Sequence, residues 1–306
     1  MCSTCGCSEG GVTMSGSDHH EHDHEHEHEH HHCDVHAQHH HHHPDGSHPK
    51  ANYIEVHHHY YHHGDVHHHI HYHVDTLPSE QPPQNMTQGV KRTINIEQQV
   101  LAKNNQQAAH NREHFASHQQ CALNFVSSPG SGKTSLLVET LKRLLPEHSC
   151  YVIEGDQQTQ NDAHRIEATG APALQINTGK GCHLDAQMIH DALHRLEPSD
   201  HSYVFIENVG NLVCPADFDL GEKHKVVLLS VTEGEDKPLK YPHMFAASSL
   251  LLINKADLLE HVDFDLKQCM EYAHQVNPEL TIIPISTTTG EGMDEWMSWL
   301  EAQQCA

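Results

Sequence analysis

One segment, residues 121–144, constrains the fold more than any other part of the chain. An apolar run, CALNFVSS, leads directly into the glycine-rich turn PGSGKT and then into the amphipathic sequence SLLVETLKRLL. The order strand, glycine turn, helix is that of a phosphate-binding loop, where backbone N–H groups at a helix start surround an anion. Residues 127–134 match the pattern GxxxxGKT except at the first position, which is Ser127. The segment therefore predicts a nucleotide-binding α/β domain.

The residues of this loop have separate expected roles. The glycine turn brings backbone N–H groups to the β-phosphate, and Lys133 reaches the β- and γ-phosphate oxygens. The hydroxyl of Thr134 is expected to hold Mg²⁺. The predicted nucleotide contacts here are Gly130, Ser131, Gly132, Lys133, Thr134 and Ser135.

Further apolar runs predict a sheet, with helical stretches between several of them. Apolar strands that alternate with helices imply a parallel sheet covered on both faces. The expected fold class is therefore α/β, a P-loop NTPase with a mostly parallel sheet. The runs are CYVIEG, ALQINT, SYVFIENVG, KVVLLSVTE, SLLLINK and TIIPIST.

Two further motifs indicate the base that is bound. Asn254-Lys255-Ala256-Asp257 follows the run SLLLI, and a carboxylate at Asp257 can accept hydrogen bonds from N1–H and the exocyclic amine of guanine. Ser286 and Thr287 follow the last strand, where backbone contacts to the base oxygen are expected. GTP is predicted over ATP, with Asn254, Lys255, Asp257, Ser286 and Thr287 at the base.

Two acidic residues lie at the carboxyl ends of predicted strands between these motifs. Asp156 follows CYVIEG and Glu207 ends SYVFIE. Both are expected to hold Mg²⁺ through water, and Asp156 also to orient the attacking water. The predicted catalytic residues are Lys133, Asp156 and Glu207. No glutamine or arginine finger is evident in the sequence, so slow intrinsic hydrolysis is expected.

Cysteine and histidine stand together later in the domain. Cys182 and His183 precede a predicted helix, and Cys214 lies four residues past Gly210. Thiolate and imidazole bind borderline metals such as Zn²⁺ and Ni²⁺. A lone buried cysteine is more often a packing residue, so the residues alone leave a metal site and simple packing both open.

The first third of the chain has a different composition. Of the 39 histidines, 26 lie between His19 and His73, in a tract with too few aliphatic residues to build a core. Cys2, Cys5 and Cys7 precede it, spaced so that a flexible end can fold around one metal ion. We expect a Cys-rich metal motif at 1–11, a disordered histidine-rich region and linker at 12–92, and a P-loop domain at 93–306.

Charge and hydropathy exclude several functions. Residues 1–90 hold one lysine and 13 acids, and the remainder holds 16 lysines and arginines and 29 acids. Both parts are acidic, so nucleic acid or an anionic membrane is not an expected partner. No apolar run is long enough to cross a membrane, and the N-terminus has no secretion signal. The expected location is the cytoplasm, where thiols stay reduced.

Taken together, these residues resemble the HypB family, the hydrogenase nickel-incorporation GTPases of the SIMIBI class. The resemblance runs from about residue 93 to the C-terminus, and MCSTCGC resembles the CxxCxC nickel motif of some members. The matching stretches are VSSPGSGKT, VIEGDQQTQNDA, NTGKGCHLDAQMI, FIENVGNLVCPADFDLGEKHKV, SVTEGEDKPLKYPHMFAAS, LLINKADLL and GEGMDEWMSWL.

The resemblance implies a GTPase that dimerises around nucleotide and loads Ni²⁺ into the large subunit of [NiFe] hydrogenase. Implied partners are a zinc-containing accessory protein of the HypA type and, in some organisms, a nickel-binding prolyl isomerase. GTP or GDP and Mg²⁺ are the implied cofactors, with nickel stored by the histidine tract. The implied metal ligands are Cys2, Cys5 and Cys7 for Ni²⁺, and Cys182, His183 and Cys214 for Ni²⁺ or Zn²⁺.

Three alternatives remain. The related urease nickel chaperone shares the nucleotide loops, but its Cys-Pro-His unit is absent here. A nickel or zinc storage protein would make the histidine tract the function. A zinc chaperone would use the same ligands for another ion.

Overall fold

The computed structural model describes residues 13–15, 54–60, 66–72, 84–156, 161–179 and 181–304. The chain divides into two compact units, one of Met1–His19 with Arg92–Ala306 and one of His20–Lys91. Cys2, Cys5 and Cys7 lie outside the described residues, as does most of the histidine-rich tract. The amino-terminal metal motif, the disorder and the three-part division of the chain therefore stay predictions.

Ten strands and nine α-helices are described. The strands are β1 (Thr13–Ser15), β2 (Ile54–Tyr60), β3 (Val66–Tyr72), β4 (Cys121–Ser127), β5 (Cys150–Asp156), β6 (Ala173–Asn177), β7 (Tyr203–Glu207), β8 (His224–Ser230), β9 (Leu250–Asn254) and β10 (Thr281–Pro284). The helices are α1 (Gln84–Ser117), α2 (Lys133–Leu144), α3 (Asn161–Glu167), α4 (Ala186–Leu196), α5 (Cys214–Asp217), α6 (Lys237–Lys240), α7 (Pro242–Ala246), α8 (Leu266–Val276) and α9 (Met293–Gln304), and Ala256–His261 is a 3-10 helix. Among the described helices, none is both long and apolar enough to cross a membrane.

The larger unit is built on one sheet, in the order β1-β6-β5-β7-β4-β8-β9-β10. Strands β4 to β10 pair in parallel, and only the short edge strand β1 pairs antiparallel, with β6. All seven apolar runs of the larger unit form strands, so the predicted mostly parallel sheet is confirmed. Because the carboxyl ends of parallel strands meet at one edge, the loops after β4, β5, β7 and β9 come together there.

Helices cover both faces of this sheet, as its apolar strands require. On one face α2 and α9 pack through leucines and Trp296, which is fully buried. The indole N–H of Trp296 donates a hydrogen bond to Thr140 Oγ1 at 2.9 Å, which satisfies the polar atom of this buried ring. On the other face, α4 packs with Phe115 of α1 over one half of the sheet, and α7 and α8 cover the other half.

The helix predicted to lead into the domain is longer than expected. It begins at Gln84 rather than near Ile94, and residues 84–93 include no proline that would end a helix. Two buried asparagines of α1 fix it beside α4. Asn111 Nδ2 donates to the carbonyl oxygens of Ala186 and Leu220 at 2.8 and 2.9 Å, and Asn104 Oδ1 accepts from the N–H of Ala186 at 2.9 Å.

In the smaller unit, β2 and β3 form an antiparallel pair. The register places one run of three histidines directly opposite another. The facing positions are His57 and His69, His58 and His68, and His59 and His67.

Candidate nucleotide and metal site

The phosphate loop follows β4 and ends at the start of α2, as its sequence predicts. Gly132 has a φ of +98°, and an added Cβ would lie 2.5 Å from Asn254 Nδ2, so only glycine fits there. Lys133 is almost fully buried, and its ammonium donates to Ser127 Oγ at 2.7 Å. Burial lowers the pKa of Lys133, and the neighbouring carboxylates, Glu207 first among them, oppose that shift. The serine at the first loop position therefore holds the lysine in the loop.

Thr134 and Glu207 meet directly below the loop. Thr134 Oγ1 donates to Glu207 Oε1 at 2.8 Å, while Glu207 Oε2 is buried with no hydrogen-bond partner. Burial raises the pKa of Glu207 to about 7, and the nearby Lys133 lowers it. An unpartnered carboxylate oxygen beside a hydroxyl is a donor set that suits Mg²⁺. Two of the three residues predicted for magnesium, Thr134 and Glu207, thus lie in contact.

A cavity of about 430 Å³ opens beside the loop and contains more acids than the sequence indicated. Its lining includes the predicted Asp156 and Glu207, and also Glu154 and Asp162. Burial, and then the charges of Glu207, Asp156 and Asp162, raise the pKa of Glu154 to about 8. The excess of carboxylates favours a divalent cation, which would relieve their mutual repulsion.

An arginine that the sequence did not indicate also lines this cavity. Arg165 of α3 lines the cavity and donates to Asp162 Oδ1 at 3.2 Å and to Ser135 Oγ at 3.0 Å. A guanidinium here can meet phosphate oxygens. The sequence could have predicted Glu154 in the site, because it lies two positions before Asp156 on the same strand and so shares its face. Arg165 has no such signal, because it reaches the site through the packing of α3.

The residues predicted to bind the nucleotide base lie beside the phosphate loop. Asn254 Nδ2 donates to the carbonyl oxygen of Ser131 at 2.9 Å, and Lys255 Nζ to that of Gly130 at 2.9 Å. Ser286 Oγ donates to Asp257 Oδ1 at 2.5 Å, which fixes the carboxylate. The predicted Thr287 follows in the same turn, half-buried. The structure therefore brings both base motifs to one place beside the phosphate loop.

Cys182, His183 and Cys214 form a cluster whose ligand atoms all lie within 4.8 Å of one another. Neither thiol is part of a disulfide, the two Sγ atoms are 2.9 Å apart, and Cys182 Sγ is 3.6 Å from His183 Nδ1. The ring of Phe218 packs on that of His183, with centroids 3.9 Å apart. Burial lowers the pKa of His183, which favours the neutral imidazole that binds a metal. Two sulfurs and one nitrogen suit Ni²⁺ or Zn²⁺.

The nucleotide cavity and this cluster share one segment, residues 207–214. It leaves β7 at Glu207, and Asn208 Oδ1 accepts from the N–H of Leu184 at 3.1 Å. Asn211 Nδ2 then donates to the carbonyl oxygen of Cys182 at 3.2 Å, and the segment ends at Cys214. Gly210 lies against the phosphate loop, since an added Cβ would meet Pro129 at 3.0 Å. This segment therefore connects the nucleotide cavity with the cysteine–histidine cluster.

Comparison with known proteins gives the family. The family profile "CobW/HypB/UreG, nucleotide-binding domain" matches residues 122–284. The Hydrogenase maturation factor HypB of Escherichia coli K12 is 52% identical over 308 residues, covering 100% of both chains. The Hydrogenase/urease maturation factor HypB of Helicobacter pylori J99 is 42% identical over 216 residues, 69% of this chain and 88% of the relative.

A solved structure agrees with these relatives. The HypB of Helicobacter pylori in complex with nickel superposes with a TM-score of 0.62 at 41% identity, covering 66% of this chain and 95% of the other. The predicted P-loop fold and the predicted resemblance are thereby confirmed. The chain belongs to the HypB family of P-loop GTPases, the hydrogenase maturation factors.

Proposed function

We propose that this chain is a GTP-hydrolysing nickel metallochaperone that inserts Ni²⁺ into the large subunit of [NiFe] hydrogenase. The observation that carries the proposal is the shared segment 207–214, which begins at an acid of the nucleotide cavity and ends at a thiol of the cysteine–histidine cluster. Movement of segment 207–214 when GTP is hydrolysed would therefore change the ligands around bound nickel. The relatives named as hydrogenase maturation factors, and the nickel-bound relative, support the same function.

Nucleotide binding uses the loop and the two base motifs. Backbone N–H groups at residues 130–135 hold the phosphates, and Lys133 pairs with the β- and γ-phosphate oxygens. Asp257, held by Ser286, accepts from the guanine edge. Adenine presents no such pair of donors, so the site selects GTP.

Hydrolysis is an in-line attack by water on the γ-phosphorus, which breaks the bond to the β–γ bridging oxygen. Thr134, Asp156 and Glu207 would hold Mg²⁺, which would neutralise charge on the phosphates. Asp156 orients the attacking water, and Arg165 offers a second cation to the phosphates. Lys133 is already positioned in the loop, which removes part of the ordering cost.

Nickel is the cargo of the cysteine–histidine cluster. Cys182, His183 and Cys214 supply two thiolates and an imidazole, which leaves coordination positions for a partner's ligands. Loss of the γ-phosphate releases the loop around Gly210, and through Asn211 the movement reaches Cys182. The cluster then loosens, and nickel passes to the partner. Zn²⁺ competes for the same ligands.

The remaining parts of the proposal follow the family. Cys2, Cys5 and Cys7 capture nickel, and the histidine tract stores it in the cytoplasm. The chain acts as a GTP-dependent homodimer with the hydrogenase large subunit, a zinc-containing accessory protein of the HypA type and, in some organisms, a nickel-binding prolyl isomerase.

Hydrogenase activity in a strain that lacks this chain tests the function. The natural chain should restore activity without added nickel, whereas Cys214→Ala should not, and excess nickel should rescue the deletion strain in part. A matched control is Cys269→Ala, because Cys269 is a fully buried cysteine that belongs neither to the lining of the nucleotide cavity nor to the metal cluster. Full activity from the deletion strain at ordinary nickel levels would exclude the proposal.

A second candidate is delivery of nickel to urease. One relative is named a Hydrogenase/urease maturation factor, which favours considering both enzymes. Assaying urease in the same deletion strain, where the organism has one, distinguishes the two. Deleting residues 18–75 separates storage from delivery, because storage alone predicts lost nickel capacity with normal maturation.

A further inference from the structure

Lys225 of β8 is almost fully buried, although it does not line the nucleotide cavity. Its ammonium donates to the carbonyl oxygens of Pro215, Ala216 and Phe218 at 2.7, 3.3 and 3.3 Å. A carboxylate also lies nearby, with Glu222 Oε1 3.9 Å from Lys225 Nζ. An ammonium has three N–H groups, so the three carbonyl oxygens use its whole hydrogen-bonding capacity.

The three carbonyl oxygens belong to the segment that carries one metal ligand and supports another. Helix α5 begins at Cys214, and two of the carbonyls belong to its next two residues. Phe218 follows α5, and its ring packs on the ring of His183 with centroids 3.9 Å apart. A helix of only four residues is not stable by itself. Lys225 therefore fixes the backbone next to Cys214 and the residue whose ring supports His183.

Glu222 extends the contacts of Lys225 into the sheet. Glu222 Oε2 accepts from the N–H of Leu220 at 2.7 Å, and its Oε1 accepts from Asn124 Nδ2 at 3.0 Å. Asn124 lies on β4 and is fully buried, and its Oδ1 accepts from Asn208 Nδ2 at 3.2 Å. The buried polar side chains thus form a continuous series from Lys225 to Asn208.

The other end of this series lies at the nucleotide cavity and at the second segment of the metal cluster. Asn208 lines the cavity and directly follows Glu207. Its Oδ1 accepts from the N–H of Leu184, the residue after His183, at 3.1 Å. The series therefore reaches both cysteine-bearing segments of the cluster, and it does so without Asn211.

We propose that Lys225 is a positioning residue for nickel at the cysteine–histidine cluster. It places Cys214 through the carbonyl oxygens of α5 and His183 through Phe218. An apolar side chain of the same length would fill the same space but would leave the three carbonyl oxygens without a donor. The inference rests on the proposed binding of nickel at this cluster and adds to it a residue that does not touch the ion.

Lys225→Met tests the inference, because it keeps the length of the side chain and removes its three donors. Nickel affinity at the cluster should fall by about 10- to 100-fold, as is typical for residues that orient metal ligands. The chain is otherwise complete, with Cys2, Cys5 and Cys7 changed to serine. A nitrilotriacetate buffer fixes the concentration of free Ni²⁺, so that the histidine tract does not deplete it. The thiolate–nickel absorbance that disappears in Cys214→Ala measures binding at the cluster.

A control variant separates positioning from a general loss of stability. Leu300 of α9 is fully buried on the face of the sheet that α2 covers, whereas Ala216 of α5 packs on the other face. Leu300→Ala therefore weakens the core without touching the contacts of Lys225, and it should bind nickel as the natural chain does. An equal fall of nickel affinity in Leu300→Ala would show that affinity follows stability, and would overturn the inference.

A second variant covers the case in which Lys225→Met does not fold. Removing the ammonium leaves Glu222 as a buried carboxylate without its cation, which is costly. Lys225→Met combined with Glu222→Gln removes that charge and should show the same loss of nickel affinity. Natural affinity in either folded variant would overturn the role of Lys225 and leave the nickel site standing. Absence of the thiolate–nickel absorbance from the chain that keeps Lys225 and Cys214 would overturn the nickel site itself.

Discussion

Asn211 donates a hydrogen bond from its side-chain amide to the carbonyl oxygen of Cys182 at 3.2 Å. The same side chain accepts from the N–H of Val213 at 2.8 Å, one residue before Cys214. One asparagine thus ties together the two cysteine-bearing segments of the metal cluster, on the loop that leaves the nucleotide cavity. This contact gives the proposed coupling between GTP and nickel a physical path.

Replacing Asn211 by alanine tests that path. The change removes both hydrogen bonds, so nickel affinity at the cluster should fall by about 1 kcal/mol, or about fivefold. The measurement is thiolate–nickel absorbance in a chain whose Cys2, Cys5 and Cys7 are serines. Asn105→Ala, at an exposed position of α1, is the matched control. Nickel affinity equal to that of the control would remove Asn211 from the path.

Replacing Lys133 by methionine tests the phosphate loop. The buried ammonium faces the expected β- and γ-phosphates, so phosphate release from GTP should slow by roughly 10²-fold or more. Nickel binding at Cys182, His183 and Cys214 should persist, because none of them contacts the loop lysine. Lys142→Met, on the exposed side of α2, should hydrolyse GTP normally. Normal hydrolysis by Lys133→Met would contradict the assigned role.

Replacing Asp257 by asparagine tests base recognition. The amide loses the charge-assisted hydrogen bonds to guanine, each about 1.5–3 kcal/mol, so GTP affinity should fall by about ten- to a hundredfold or more. Xanthine nucleotide, which carries a carbonyl in place of the exocyclic amine, should then bind better than GTP. Competition against a fluorescent nucleotide measures both affinities, with exposed Asp263→Asn as control. An unaltered preference for GTP would place the base elsewhere.

The buried Glu154 predicts a pH dependence of stability. Its pKa is raised from 4.5 to about 8, so between about pH 5 and 8 the folded chain keeps a proton that the unfolded chain releases. The free energy of unfolding therefore falls as pH rises through this range, by at most about 5 kcal/mol from this group. Glu207, with its pKa raised to about 7, acts in the same direction.

Glu154→Gln should remove the larger part of that slope. The variant, free of nucleotide and metal, should be more stable than the natural chain at pH 8 and similar to it at pH 5. Denaturant unfolding at both pH values measures the difference. Exposed Glu147→Gln should keep the slope of the natural chain. A slope in Glu154→Gln equal to the natural one would show that Glu154 ionises normally.

Local sequence patterns predicted much of the fold and the nucleotide site. The phosphate loop and each of the seven parallel strands consist of contiguous residues, so an apolar run or a glycine turn is enough to predict them. Asp257 and Ser286 could be paired because each follows a strand of one sheet. For Cys182 and Cys214 the residues alone left a metal site and simple packing both open, and the family resemblance favoured the metal site.

Contacts made by packing were not predictable in this way. Arg165 reaches the cavity because α3 packs beside α2, and a helix surface arginine is ordinarily solvated. Phe115 of α1 packs with Ile189 and Leu193 of α4, although the two helices are far apart in sequence, and buried Asn111 fixes α1 beside α4. Long-range packing of this kind produces no periodic pattern in the sequence from which it could be predicted.

The release of nickel from the cysteine–histidine cluster tests the central claim most directly. The chain with Cys2, Cys5 and Cys7 changed to serine is loaded with nickel, and release to a colorimetric chelator is followed with Mg²⁺ and either GTP or a non-hydrolysable analogue. Lys133→Met is the matched control and should release nickel equally slowly with both nucleotides. The account predicts faster release with GTP than with the analogue in the chain that keeps Lys133. Equal release with the two nucleotides would contradict it.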